Sequence, residues 1–138
     1  KNKNVREYTK FVHTFLIDRT MSNKFSIAET IIRRIVDFFK MKKIKVLRVK
    51  TNLQTNNISI NKNHHTSPHV DQDKKHMVGI YYVNDCDGDT RIFKKNKLFK
   101  LIKPKAGRMV FFNGALKHSA GFPVKSQVRC VINFNFKI

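Results

Sequence analysis

Cysteine is scarce in this 138-residue chain: only Cys86 and Cys130 are present, far apart in sequence. Two thiols are too few for a disulfide scaffold, and they lack the close spacing of a zinc-binding pair. Reduced thiols in a cytosol are the simplest account. Long apolar runs are also missing, since none approaches the roughly 20 residues needed to span a bilayer. The opening KNKNVREYTK has no hydrophobic stretch of the kind a secretory leader requires. These absences predict a cytoplasmic protein, in the host cytoplasm if the source is viral, with no membrane partner. Lys1 stands where an initiator Met would, so the native start is expected upstream. No internal repeat, Gly/Ser linker or low-complexity tract divides the chain. We expect one domain over 1–138, with helical support in 1–43 and a β core in 44–138.

Acidic residues are the next shortage. Nine Asp and Glu stand against 29 Lys and Arg, a formal charge of +20. Such a surplus attracts phosphates and raises nucleic acid as a partner. However, the lysines at 42, 43, 45, 74, 75, 94, 95, 97, 100, 103 and 105 are scattered, with no interleaved aromatic run to stack bases. Lys, Asn, Ile and Phe are also the residues that an AT-rich genome inflates, so the charge is ascribed to base composition. That bias suits a virus or phage. Charge of this kind speaks to solubility and non-specific binding and leaves the fold open.

Hydrophobic periodicity says more. Ser26 and Glu29 have capping-box spacing, and Ile27, Ile31, Ile35 and Phe38 or Phe39 follow at helical intervals, which predicts a helix over 27–40. From Ile44 onward, short apolar or alternating runs are separated by Asn, Asp, Gly and Pro. The pattern predicts strands at 44–52, 67–71, 76–84, 90–93, 98–103, 108–113, 116–119 and 127–136. Eight short strands suit a sandwich or barrel. In the last, Val128, Cys130, Ile132, Phe134 and Phe136 share one face, while Arg129, Val131, Asn133 and Asn135 share the other.

Within this β region the spacing His69-Val70-Asp71 turns an imidazole and a carboxylate the same way, because side chains alternate along an extended chain. A third ligand from a distant segment would close one face of an octahedron and leave the other for water, a cosubstrate and oxygen. Two His and one carboxylate with open positions characterise non-haem Fe(II) oxygenases. His64, His65, His76 and His118 are the candidate third ligands, and Asp73 is a rival to Asp71. At most one of the adjacent His64 and His65 can face inward. Both are expected in a loop over the mouth of the site, solvated or facing the substrate. His13 is read as a surface or packing residue. Asp87 and Asp89 around Gly88 resemble a calcium-loop fragment without its terminal bidentate Glu, so a polar turn is the better reading. Gly107 and Gly114 are read as turn glycines.

Taken in order, HVD at 69–71, YYVND at 81–85, GDTRIF at 88–93, KPKAGRMVFFNG at 103–114, KHSAGFP at 117–123 and RCVINFNF at 129–136 resemble a prolyl 4-hydroxylase-like 2-oxoglutarate and Fe(II)-dependent dioxygenase of the compact bacterial or phage type. The resemblance implies a mainly β fold, a double-stranded β-helix with a supporting N-terminal helix. It implies His69, Asp71 and His118 as iron ligands and Arg129 as the grip on the distal carboxylate of 2-oxoglutarate, which a guanidinium can hold through two parallel hydrogen bonds. Tyr82, chosen over Tyr81, matches a residue that hydrogen-bonds the same carboxylate. The implied cofactors are Fe(II), 2-oxoglutarate and O2. The implied reaction hydroxylates a C–H bond and releases succinate and carbon dioxide, with a peptidyl proline or another amino-acid side chain as substrate.

Two alternatives are carried forward. Oxidative demethylation of nucleic acid suits the charge, but such enzymes have a second Arg six residues after the first, where this chain has Asn135. A non-catalytic, basic nucleic-acid-binding β-fold would have no use for an intact ligand set. The region between Asn52 and His69 contains no Tyr, although relatives often supply a further aromatic contact to 2-oxoglutarate there, so other residues are expected to complete the pocket.

Overall fold

The computed structural model describes residues 9–42, 44–56 and 63–137. Its elements run β1 (Lys10–Ile17), β2 (Thr20–Met21), α1 (Phe25–Phe38), β3 (Lys45–Thr55), β4 (Met77–Tyr82), β5 (Thr90–Lys94), β6 (Lys97–Ile102), β7 (Met109–Asn113), β8 (His118–Ala120) and β9 (Val128–Lys137). All pairings are antiparallel. The larger sheet has the order β2-β1-β3-β9-β4-β7 and the smaller has β6-β5-β8. Two single bridges, His65 to Gly121 and His69 to His118, lay the chain around 65–69 beside β8.

Strand alternation divides the core in two. Ile132, Phe134 and Phe136 of β9 leave the outer face and pack with Val49, Phe15 and Leu16 against Ala28 and Ile35 of α1. Val78, Ile80 and Tyr82 of β4, Phe112 of β7 and Val131 of β9 point inward and meet Ile92 of β5, which binds the two sheets face to face. The result is a double-stranded β-helix with one helix backing the larger sheet. Because β9 is central and covered on both sides, its Arg129, Asn133 and Asn135 face an interior and escape the solvent that usually meets a polar strand face.

Three details differ from the pattern reading. The N-terminal segment expected as helical support also forms the β1–β2 hairpin, and β1 pairs along β3 from Lys10–Gln54 to Ile17–Arg48. Its turn uses Asp18 and Arg19 at φ 46° and 70°, a left-handed pair that carries none of the usual Asn-Gly signal. The capping box does not form. Lys24 occupies the N-cap without a side-chain bond, and Ser22 Oγ accepts from the Lys24 N–H at 3.2 Å. Ser26 and Glu29 lie inside the helix, where Glu29 pairs with Arg33 at 2.9 Å. The strand expected at 67–71 is reduced to the bridge at His69, with Pro68 beside it unable to donate to a ladder.

Candidate metal and cosubstrate site

Between the sheets lies a cavity of about 330 Å³ with His69, Asp71 and His118 at one end and Gln54, Thr90 and Arg129 at the other. The bridge between His69 and His118 is made by two backbone hydrogen bonds, His69 N–H to His118 O at 3.0 Å and His118 N–H to His69 O at 2.9 Å. It sets the two rings 4.8 Å apart, centroid to centroid. Asp71 Oδ1 lies 3.8 Å from His69 Nε2 and 3.9 Å from His118 Nε2. One ligand atom from each residue lies within 4.8 Å of the others, a spacing that can hold a metal ion. The donor set also suits the metal chemically. His69 Nδ1–H donates to Ser67 O at 3.0 Å, which leaves the Nε2 lone pair for coordination.

Asp71 is held from behind. Asn133 and Asn135, two inward positions of β9, donate their side-chain amides to Oδ2 at 3.1 and 2.8 Å. Arg48 of β3 reaches Oδ1 at 3.0 Å. Burial is the largest influence on this carboxyl and opposes its charge. The Asn135 bond, the charges at His118 and Arg48 and the Asn133 bond together outweigh burial and bring its pKa below the usual aspartate value. His118 is shifted down mainly by burial, against the opposing pull of Asp71, which favours the neutral ring a metal needs.

At the other end, Arg129 is buried yet well supplied with acceptors. Its Nε donates to Gly88 O at 2.8 Å, Nη1 to Gln54 Oε1 at 3.2 Å and Nη2 to Thr90 Oγ1 at 2.8 Å. Three of five N–H groups are thereby used, and two remain for a ligand. Gly88 is required here, because a Cβ would come within 2.9 Å of Arg129 Cδ and 2.8 Å of Gly121 O. Tyr82 is fully buried and sits one hydrogen bond back from the cavity, its hydroxyl donating to Thr90 Oγ1 at 2.7 Å. Thr90 therefore accepts from both Tyr82 and Arg129, and its own O–H is left to donate elsewhere. Tyr81 packs in the opposite, helix-side core.

The other sequence candidates fall outside this constellation. Asp73 is exposed. His76 is buried away from the cavity, its Nδ1 bonded to Lys74 O at 2.7 Å and its ring packed under Gly114. His64 is exposed, whereas the His65 ring is held by Ser119 Oγ at 2.9 Å and lies near Phe93. His13 is a surface residue bonded to Ser22 Oγ. Asp87 closes a turn by accepting from the backbone N–H groups of Val124, Lys125 and Ser126. Gln54, Thr90 and Arg48 were not singled out by sequence reasoning. Asn133 and Asn135 carried a signal, since alternation put them on the face of Arg129.

A β-helix with two imidazoles, a carboxylate and a buried guanidinium around one cavity defines the architecture of a non-haem iron oxygenase. The sequence matches the 2OG-Fe(II) oxygenase superfamily over residues 53–137, and the chain belongs to that family. It is a 2-oxoglutarate-dependent dioxygenase, with Fe(II), 2-oxoglutarate and O2 as cofactor and cosubstrates. Solved structures share the fold at low sequence identity. A 2OG-Fe(II) oxygenase family oxidoreductase from Burkholderia pseudomallei has a TM-score of 0.72 at 14% identity, with 93% of this chain and 68% of that one covered. A Trichoplax adhaerens prolyl hydroxylase, in complex with a hypoxia inducible factor peptide fragment, gives 0.62 at 12%, with 92% and 62% covered. A viral collagen prolyl hydroxylase from Paramecium Bursaria Chlorella virus-1 gives 0.58 at 17%, with 94% and 78% covered. The chain thus spans about two thirds of the length of the first two. No curated protein matches the sequence. Among the described residues, no helix is long and apolar enough to cross a membrane.

Proposed function

We propose that this cytoplasmic dioxygenase domain hydroxylates a C–H bond of a peptidyl proline or another amino-acid side chain, converting 2-oxoglutarate to succinate and carbon dioxide. His69, Asp71 and His118 hold Fe(II). Arg129 receives the distal carboxylate of 2-oxoglutarate, with the Thr90 hydroxyl as a second donor, and Tyr82 fixes Thr90 from behind. The observation that carries this reading is one cavity with a metal-binding cluster at one end and a buried, partly unsatisfied guanidinium at the other. The prolyl hydroxylases among the structural neighbours support an amino-acid substrate.

When bound, iron supplies the oxidising chemistry. The protein's own residues position the reactants and keep water out. The Asn133–Asn135 pair aims one oxygen of Asp71 backward, so the other faces the imidazoles. Arg129 and Thr90 fix the far end of the cosubstrate, which sets its near end against the metal cluster. The test is succinate formation from 2-oxoglutarate by the anaerobically Fe(II)-loaded protein, with and without proline-containing peptides, beside His118→Ala. Turnover that requires both iron and His118 is expected. Absence of turnover together with absence of Fe(II) and 2-oxoglutarate binding would overturn the reading.

A further inference from the structure

The cavity carries more positive charge than the metal and cosubstrate can use. Lys50 and Asn52 of β3 line it along with Gln54, and Lys10 of β1, paired across the ladder with Gln54, joins them. Asp71 is the only carboxylate among the described residues of that lining. On the reading above, on which this inference rests, Fe(II), Arg48 and Arg129 bring four positive charges, and the doubly negative cosubstrate and Asp71 bring three negative ones. Among the described residues of the lining, Lys10 and Lys50 therefore face the cavity with no carboxylate of their own to offset them. The two ammonium groups repel each other across a partly desolvated mouth, an arrangement that a negative group between them would relieve. Burial lowers the pKa of both. Arg129 lowers that of Lys10 further, and Arg48 and Lys10 lower that of Lys50, while Asp71 opposes the shift in both.

We propose that Lys10 and Lys50 form a subsite for a carboxylate of the substrate being hydroxylated, so that the oxidised residue lies next to an acidic group. A peptide in which proline neighbours Asp or Glu meets this requirement, and the α-carboxylate of a free amino acid offers the same chemistry. A nucleic-acid phosphate fits less well. The only rings among the described lining residues are the imidazoles of His69 and His118, which the metal would occupy, and the apolar lining is limited to Ile80, Ala120 and Val131, whereas enzymes that act on a base stack it between aromatic or apolar side chains. Lys10 lies outside residues 53–137, so this subsite is not part of the matched family pattern.

The test uses matched proline peptides that differ only by Asp→Asn or Glu→Gln beside the proline, together with free proline. Peptide hydroxylation is read by mass spectrometry, and binding by fluorescence anisotropy of labelled peptides. Wild type should favour the acidic peptide by about tenfold or more in kcat/KM and in Kd, the worth of a charge-assisted hydrogen bond. In Lys10→Gln and Lys50→Gln this preference should collapse towards unity. Lys50→Glu should favour a peptide with Lys in the acidic position. Preference for free proline would assign the carboxylate to the substrate's own backbone, and preference for the acidic peptide to a side chain. Equal binding and turnover of acidic and amide substrates by wild type would overturn the subsite. So would a rise in the KM for 2-oxoglutarate in the lysine variants without loss of preference, or oligonucleotide binding that the lysine substitutions abolish while peptide binding is unaffected. The anisotropy arm needs no turnover, so failure of the catalytic reading and failure of the subsite are separately visible.

Discussion

Thr90→Val isolates the part of the site that sequence reasoning overlooked. Valine keeps the shape of threonine and removes one oxygen, but that oxygen accepts from the buried Tyr82 hydroxyl at 2.7 Å and from Arg129 Nη2 at 2.8 Å. Each donor left without an acceptor costs about 1–3 kcal/mol, with the charged guanidinium towards the upper end, so a loss of roughly 3 kcal/mol in unfolding free energy is expected. The cosubstrate also loses a hydroxyl donor and some of the alignment of Arg129, which should weaken 2-oxoglutarate binding by about tenfold to a hundredfold. Urea unfolding measures the first effect, and calorimetric titration of the Mn(II)-loaded protein with 2-oxoglutarate measures the second. A double-mutant cycle with Tyr82→Phe makes the reasoning specific. Alone, Tyr82→Phe should cost about 1 kcal/mol. In the Thr90→Val background the Tyr82 hydroxyl has lost its acceptor, so removing it should be neutral or stabilising, a coupling of about 1–2 kcal/mol. Unchanged cosubstrate affinity in Thr90→Val, or an equal cost of Tyr82→Phe in both backgrounds, would refute the Thr90 relay.

Asn135→Ala removes the shorter of the two amide bonds that orient Asp71. Fe(II) affinity should fall about 10- to 100-fold while 2-oxoglutarate affinity changes far less, the reverse of Thr90→Val, and metal titration compares the two directly. Gly88→Ala drives a methyl group into Arg129 Cδ and the Gly121 carbonyl. It should lower stability by about 1–3 kcal/mol and raise the KM for 2-oxoglutarate, whereas a variant with wild-type melting and KM would show that Arg129 does not depend on this close approach. Asp71 has a folded pKa below its unfolded value, so in the metal-free protein its contribution to stability is present above the unfolded pKa and is lost as pH falls through the folded one. Urea unfolding across the acid range should show this loss in wild type and a flatter acid limb in Asp71→Asn.

The strands from 77 onward were legible because their apolar patterns are local, and in β4, β7 and β9 the inward side chains face a core. The β1–β2 hairpin was not, because its partner β3 lies far along the chain and its turn lacks Gly or Asn. Ser26 and Glu29 carried a convincing capping pattern that the fold did not use, since the helix starts at Phe25 and Ser22, one turn earlier, accepts from the Lys24 N–H there.

For the site, short-range geometry did much of the work. The alternation rule puts His69 and Asp71 on one side of an extended segment and groups Arg129, Asn133 and Asn135 on one face of β9, whatever the rest of the molecule does. These relations, together with the order of the motifs, are properties of the sequence alone. The sequence could not say whether the polar face of β9 meets water or a cavity. That depended on α1 and the smaller sheet covering β9 from both sides. Nor could it say that Gln54 and Thr90 would meet Arg129, that Arg48 would reach Asp71, or that Lys10 and Lys50 would share the cavity mouth. Those encounters depend on strand pairing between residues distant in sequence, and only the tertiary structure decided them.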